Sequence, residues 1–238
     1  MRTDRFSLWS AFTALGLFTS LACGTRAHAN DLNLGGNFNS GGFYTFNGSS
    51  PGGGGSINTS YLNGVQLPYV YCIDIPDNVY VSVDYNKTTV TTNGTAIVGP
   101  GNPQYNSSNP GALELTPNAG YIASLLSQFG TSATTTLQQD GLQAAIWDKI
   151  YGYGTASSGF YVTDTNVYNQ MKSDLATATN ATNLISSVYW MSPGGGSSTI
   201  YQALVTAIVP EPSTFAIAGL GAMAFVAYGL RRRKALGA

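Results

Sequence analysis

The chain has 238 residues, 43 % of them hydrophobic and 12 % aromatic but only 9 % charged, with 29 glycines and a formal net charge of −1. Against the roughly 25 % of charged residues in a typical soluble domain, this excludes an ordinary cytosolic enzyme as the default reading. The aromatic content and near-zero net charge also exclude a disordered chain and permit a packed core.

At the N-terminus, Arg2 and Arg5 precede an apolar run from Phe6 to Cys23, and Ala27-His28-Ala29 supplies a small-x-small cleavage pattern. Residues 1–29 are therefore predicted to be a signal peptide, removed by signal peptidase on export. The exported body then spans residues 30–209, a comfortable single domain. Its acids outnumber Lys87, Lys149 and Lys172 by six, so its charge is −6 and the near-neutral total comes from basic ends. An acidic body without a basic run argues against nucleic acid and anionic lipid surfaces as partners.

Within the body, 33–57 is rich in Gly, Ser and Asn and reads as flexible loops around a strand at Phe43-Tyr44-Thr45-Phe46. Aromatic and β-branched residues at Pro68–Ile75 and Val79–Tyr85 predict a strand pair joined through Pro76-Asp77-Asn78. Thr88–Val98, split by Asn93-Gly94, reads as a tight hairpin. Helices are predicted over Pro117–Phe129, over Asp140–Tyr151 with Asp140 as N-cap and Gly152 as its stop, and over Val167–Ala178. Strand character returns at Ser187–Met191 and Tyr201–Val209. The expected fold is α+β: a β-rich frame, sandwich or barrel-like, with a few inserted helices.

Beyond the body, Val209-Pro210-Glu211-Pro212-Ser213 leads into an uncharged stretch, Thr214–Leu230, followed by Arg231, Arg232, Arg233 and Lys234. As a helix those residues rise about 25 Å, enough to span a bilayer core when the flanks snorkel. The basic anchor belongs on the cytoplasmic side, which leaves everything upstream outside, in agreement with the signal peptide. This order of Pro-Glu-Pro, short membrane helix and arginine cluster over 209–234 resembles the PEP-CTERM sorting signal of Gram-negative bacteria. The resemblance implies export, transient anchoring in the inner membrane and recognition by an exosortase that cuts near Pro210, Glu211 and Pro212. It also implies a final location at the cell surface or in an extracellular matrix of exopolysaccharide or biofilm type.

Two absences narrow the chemistry of the body. His28 lies before the predicted cut, so no histidine remains for a Ser-His-Asp triad, a Cys-His protease or a His-ligated zinc site. Asp74, Asp77 and Asn78 lack the Asp-x-Asp-x-Asp-Gly spacing of a calcium loop and read as a turn. No cofactor or metal is expected, and the chain is not read as an enzyme. Cys23 leaves with the signal peptide, so Cys72 is a lone cysteine in an oxidising compartment.

Tyr71-Cys72-Ile73-Asp74 and Leu142-Gln143-Ala144-Ala145-Ile146-Trp147 together resemble the two signature segments of thioester domains, found on bacterial surface adhesins and in related exported proteins. More loosely, the resemblance extends to Gly159-Phe160. It implies a covalent bond between the Cys72 sulfur and the Gln143 side-chain carbonyl, with Trp147 as supporting aromatic and Tyr71 beside the cysteine. Such a bond acylates amine-bearing partners and serves adhesion. With Asp140 as N-cap, Gln143 falls at the third helical position, near unpaired N–H groups of the first turn. The same placement admits a plainer reading, in which Asp140-Gly141-Leu142-Gln143 is a capping box and Cys72 a small buried hydrophobe. That alternative makes the body a non-covalent structural or glycan-binding matrix protein.

Overall fold

In the computed structural model, the residues described are 30–50, 52–157, 159–194, 199–209 and 219–225. The elements in chain order are β1 (Asn30–Asn33), β2 (Asn37–Phe46), β3 (Gly52–Asn58), β4 (Tyr61–Leu62), β5 (Val65–Gln66), β6 (Tyr71–Cys72) and β7 (Asp84–Thr91). They continue with β8 (Thr95–Ala96), β9 (Glu114–Leu115), α1 (Ala119–Phe129), α2 (Thr136–Tyr151), β10 (Phe160–Val162), α3 (Thr165–Thr177), a 3-10 turn at Thr182–Ser187, β11 (Val188–Ser192) and β12 (Leu204–Ala207). The body is thus β-rich with few helices.

Seven strands form one antiparallel sheet in the order β5-β4-β1-β7-β11-β12-β6. A second sheet, β10-β2-β3, lies against α2, while β8 and β9 pair separately. The centre of the molecule is α2, packed between β3 and α3. Every residue from Asp140 to Trp147 is buried, so this helix is enclosed all round and shows no one-sided apolar stripe. Close packing explains two of its features. Gly141 lies against α3, where a Cβ would come within 2.2 Å of Gln170 Cγ, and Trp147 joins a ring cluster with Phe43, Tyr44 and Phe160.

Several expectations need correction. The helix containing Gln143 begins not at Asp140 but at Thr136. Thr135 is its N-cap and accepts from Gln138 N, while the Gln138 side chain returns to the Thr135 N–H. That is a complete capping box one turn earlier, built on Thr135-x-x-Gln138. Asp140 is therefore buried in the helix interior, and Gln143 sits about two turns from the N-terminus.

The predicted strand pair around Pro76-Asp77-Asn78 is not a hairpin. The strand at Tyr71-Cys72 pairs with β12, and β7 starts only at Asp84 and pairs with β1 and β11. The chain leaves the sheet at Asp74, whose carboxylate accepts from Gly99 N and Asn102 Nδ2. It rejoins after Ser82, which has a left-handed φ of 58°. The Asn93-Gly94 turn exists, with Gly94 at φ 85° and Asn93 Oδ1 accepting from Thr95 N, but β8 pairs with β9 and not with β7. Most consequential for the site, the glycine run 52–55 is not a loop but part of β3.

The predicted signal peptide, Pro210, Glu211, Pro212 and the basic residues Arg231, Arg232, Arg233 and Lys234 lie outside the described residues. Of the predicted membrane segment 214–230, residues 219–225 are helical, with Leu220, Met223 and Phe225 exposed. Among the described residues no helix is long and apolar enough to cross a membrane.

Candidate functional site

Cys72 and Gln143, 71 positions apart in sequence, meet in the core. Gln143 Oε1 accepts from Cys72 N at 2.9 Å, and Gln143 Nε2 donates to Cys72 O at 2.7 Å. The reason lies in sheet geometry. Strand β6 is the edge of the seven-stranded sheet, and Cys72 faces Leu204 of β12 across it, with the neighbouring bond running from Ile73 N to Ala203 O. In an antiparallel pair alternate residues turn both backbone groups away from the partner strand, so Cys72 presents its N–H and C=O to the open edge. The Gln143 carboxamide fills that edge as a neighbouring peptide group would.

Both residues are buried: Gln143 fully, and Cys72 with 5 % of its surface exposed. Burial, with a smaller contribution from the Asp74 carboxyl, pushes the Cys72 thiol up to about 12, so at neutral pH a free Cys72 is protonated and weakly nucleophilic. Chemistry between the two groups therefore depends on enforced proximity rather than on an activated thiolate.

The arrangement also changes which group would stabilise charge. Gln143 is too far into α2 to use first-turn N–H groups, but the Cys72 N–H already donates to Oε1, the oxygen on which charge develops when a nucleophile adds to the carboxamide. The plainer capping-box reading of Gln143 is likewise displaced, because Thr135 and Gln138 cap the helix and the Gln143 amide is committed to Cys72.

Above this pair sits Trp147, one helical turn beyond Gln143 and 1 % exposed. Its ring lies 4.6 Å from Tyr44, 5.8 Å from Phe160 and 6.2 Å from Phe43, centroid to centroid. The glycine run of β3 makes this closeness possible. A Cβ on Gly54 would lie 2.9 Å from Trp147 Cη2 and 3.0 Å from both Gln143 Cγ and Phe43 Cζ. A Cβ on Gly52 would strike the Tyr44 ring at 2.7 Å. Sequence reasoning missed these glycines because a glycine run carries no strand signal; the cue was the adjoining alternation through Ser56-Ile57-Asn58. Tyr71 is buried in the same core, its ring 5.7 Å from that of Tyr69, and Asp140 lies buried one turn before Gln143.

A cavity of about 230 Å³ reaches the cysteine, with Cys72, Tyr44, Gly54, Asp77, Trp147 and Gln202 in its wall. Gln143 is not part of that wall. Burial, and secondarily Cys72, raises the Tyr44 hydroxyl to about 12, so it faces the site neutral. Among the described residues no group of three or more His, Cys, Asp or Glu side chains could hold a metal.

Near the cavity, Asp74 is fully buried and accepts from Gly99 N, Asn102 Nδ2 and Tyr151 Oη. Burial first, then the adjacent Asp77 carboxyl, raises it well above the ordinary carboxylate range. Burial raises Asp174 to about 6. Both acids bind protons more tightly folded than unfolded. Their contribution is complete below about pH 4, the unfolded carboxylate range, and is lost as pH climbs through the folded values toward neutrality. The melting temperature is thus expected to be several degrees higher at pH 5 than at pH 8, read by circular dichroism. Asp74→Asn should flatten that profile, and an unchanged slope in the variant would contradict this assignment.

Among protein families, residues 209–234 match the PEP-CTERM protein-sorting motif. The search of curated proteins and that of solved structures find no match. The matched stretch begins at Val209, which packs against the core just after β12 ends at Ala207. The chain therefore carries a PEP-CTERM sorting signal, which implies an exported protein with a membrane-anchoring sorting segment that an exosortase processes.

Proposed function

We propose that the exported body is a single-use covalent tether, not an enzyme, whose Cys72–Gln143 thioester acylates an amine on a surface or matrix partner. In forming it, Cys72 Sγ adds to Gln143 Cδ, the C–N bond breaks, and Nε2 departs as ammonia carrying the thiol proton. In use, an amine nitrogen adds to the same carbon, the C–S bond breaks, and the partner is left as an amide on Gln143 with Cys72 a free thiol. The observation that carries this reading is the two-point seating of the Gln143 amide on the Cys72 backbone. A buried carboxamide held on the Cys72 backbone near Trp147 is supported by this seating and by the single oxyanion donor such a step needs. The sorting signal supplies the setting, a body delivered outside the cell by signal peptidase and exosortase and held briefly at the inner membrane.

A second reading has its own support. Both ends of the Gln143 amide are already hydrogen-bonded and the Cys72 thiol is strongly protonated, as in an inert structural contact. On that reading the body is a non-covalent structural or exopolysaccharide-binding matrix protein. Intact mass of the exported, processed protein separates the two. The tether predicts a deficit of one ammonia that methylamine abolishes and Cys72→Ala lacks. Full calculated mass, with Cys72 alkylated quantitatively after denaturation, rejects it.

A further inference from the structure

We infer that the β4–β5 hairpin is the face that the folded body turns to the membrane-bound exosortase, because both ends of the body are fastened to this hairpin and the sorting motif leaves it without a spacer. At the C-terminal end, β12 pairs with β11 from Leu204 to Ala207 and with β6 at Leu204 and Val205, so it is not free to enter an enzyme cleft as an extended strand. Past β12, Ile208 N donates to Ser187 O at 3.0 Å, which carries the contact one residue further. Val209 then packs against the core and shares the wall of a small pocket, about 60 Å³, with Tyr189 of β11 and with Leu62, Val65 and Leu67 of the hairpin and its exit. An enzyme that acts on folded protein therefore reads the motif only from Pro210 onward.

The N-terminal end reaches the same hairpin. Asn63 and Gly64 make its turn, with left-handed φ of 52° and 79°. Asn63 N donates to Asp31 O at 2.8 Å, Asn63 Oδ1 accepts from Asp31 N at 2.9 Å, and Asn63 Nδ2 donates to Asn30 Oδ1 at 2.9 Å. Asn30 is the residue that follows the predicted signal-peptide cut. The leader and the sorting segment, the two stretches of chain read as meeting the membrane, thus join the body at one place.

Chain length turns that placement into a contact. The sorting motif starts at Val209 and its uncharged stretch at Thr214, five residues on. Fully extended, that connection reaches about 18 Å, less than half the roughly 40 Å width of a folded domain of this size. An enzyme working on Pro210, Glu211 or Pro212 at the membrane surface is therefore pressed against the hairpin. Val65 and Gln66 are exposed there. Their strand, β5, is the outermost of the seven-stranded sheet among the described residues, and an outer strand offers a partner one row of backbone groups.

The test uses the full-length precursor in membranes holding an inactivated exosortase, so that the complex persists. Photoreactive benzoylphenylalanine is introduced at Gln66 or, as a control, at Leu137, which is exposed on α2. Cross-linking to the exosortase from Gln66 should exceed that from Leu137 fivefold or more. Inserting about twenty Gly and Ser residues between Val209 and Pro210, a flexible coil of about 25 Å, should bring the two signals level while changing no residue of the body. Equal signals in the parent, or a Gln66 signal that survives the spacer, overturn the assignment. Hydrogen exchange checks the seating separately: the Ile208 amide should exchange a hundredfold or more slowly than in an unstructured chain, and exchange at the free-chain rate overturns the inference as well.

Discussion

Trp147→Ala is expected to cost about 3–5 kcal/mol, as truncating a fully buried aromatic does. That is a large part of the total stability of an ordinary domain, roughly 5–15 kcal/mol. The size of the effect follows from what surrounds the ring. Phe43, Tyr44 and Phe160 all pack on it, and Gly54 backs onto its Cη2 edge, so its removal leaves a void bounded by three aromatic side chains from two strands. These neighbours come from both β2 and β10, and collapse into the void would pull the small sheet toward α2 and away from its register. Chemical denaturation should show the midpoint falling with little change in slope. Trp147→Phe, which keeps an aromatic there, should recover about half of the loss. A Trp147→Ala variant as stable as the parent would show that the ring cluster is not the centre of the core.

The second large effect is at Gln143. Gln143→Leu conserves volume but leaves the Cys72 N–H and C=O buried and unpaired, each at roughly 1–3 kcal/mol, so a loss of about 2–6 kcal/mol is expected. Cys72→Ala is the informative companion. If Cys72 is only a small buried hydrophobe, its truncation costs about 1 kcal/mol and leaves the Gln143 contact to the backbone in place. If a covalent bond closes the loop between the two residues, the same variant also releases the unfolded chain from a cross-link worth about 4 kcal/mol at this separation. The ratio of the two losses thus separates the inert contact from the tether by equilibrium unfolding, without reference to mass or reactivity.

How much of this was legible in sequence differs from element to element. The three helices were readable because each carries helical apolar spacing or a clear stop, and their ends fall within a few residues of expectation; the exception is the start of α2. There, Asp140 before a hydrophobic run looked like a cap, but Thr135-x-x-Gln138 satisfies the helix end first and Asp140 is carried into the interior. The strands were legible only in part, since β3 read as a loop and Val79–Val83 belongs to no strand, and their pairings were not legible at all. The tyrosine-rich segments at 69–72 and 79–85 looked like neighbours, yet one is an edge strand against β12 and the other leads into a central one. Pairing is decided by which edges the whole sheet leaves free, information that no local window holds.

Composition and spacing alone carried the acidic charge of residues 30–209, the single cysteine and absence of histidine within that range, and the Pro-Glu-Pro, apolar and basic order that the sorting motif matches. Those are properties of residue identity and short-range order, and no folding is needed to read them. Only the tertiary structure decided that the Gln143 amide lies on the Cys72 backbone, that a glycine strand makes room for Trp147 beside it, and that the Asp77 carboxylate shares a cavity with the cysteine. Each of these joins segments that are distant in sequence, and the first exists because an edge strand leaves two backbone groups that the Gln143 side chain of a buried helix satisfies.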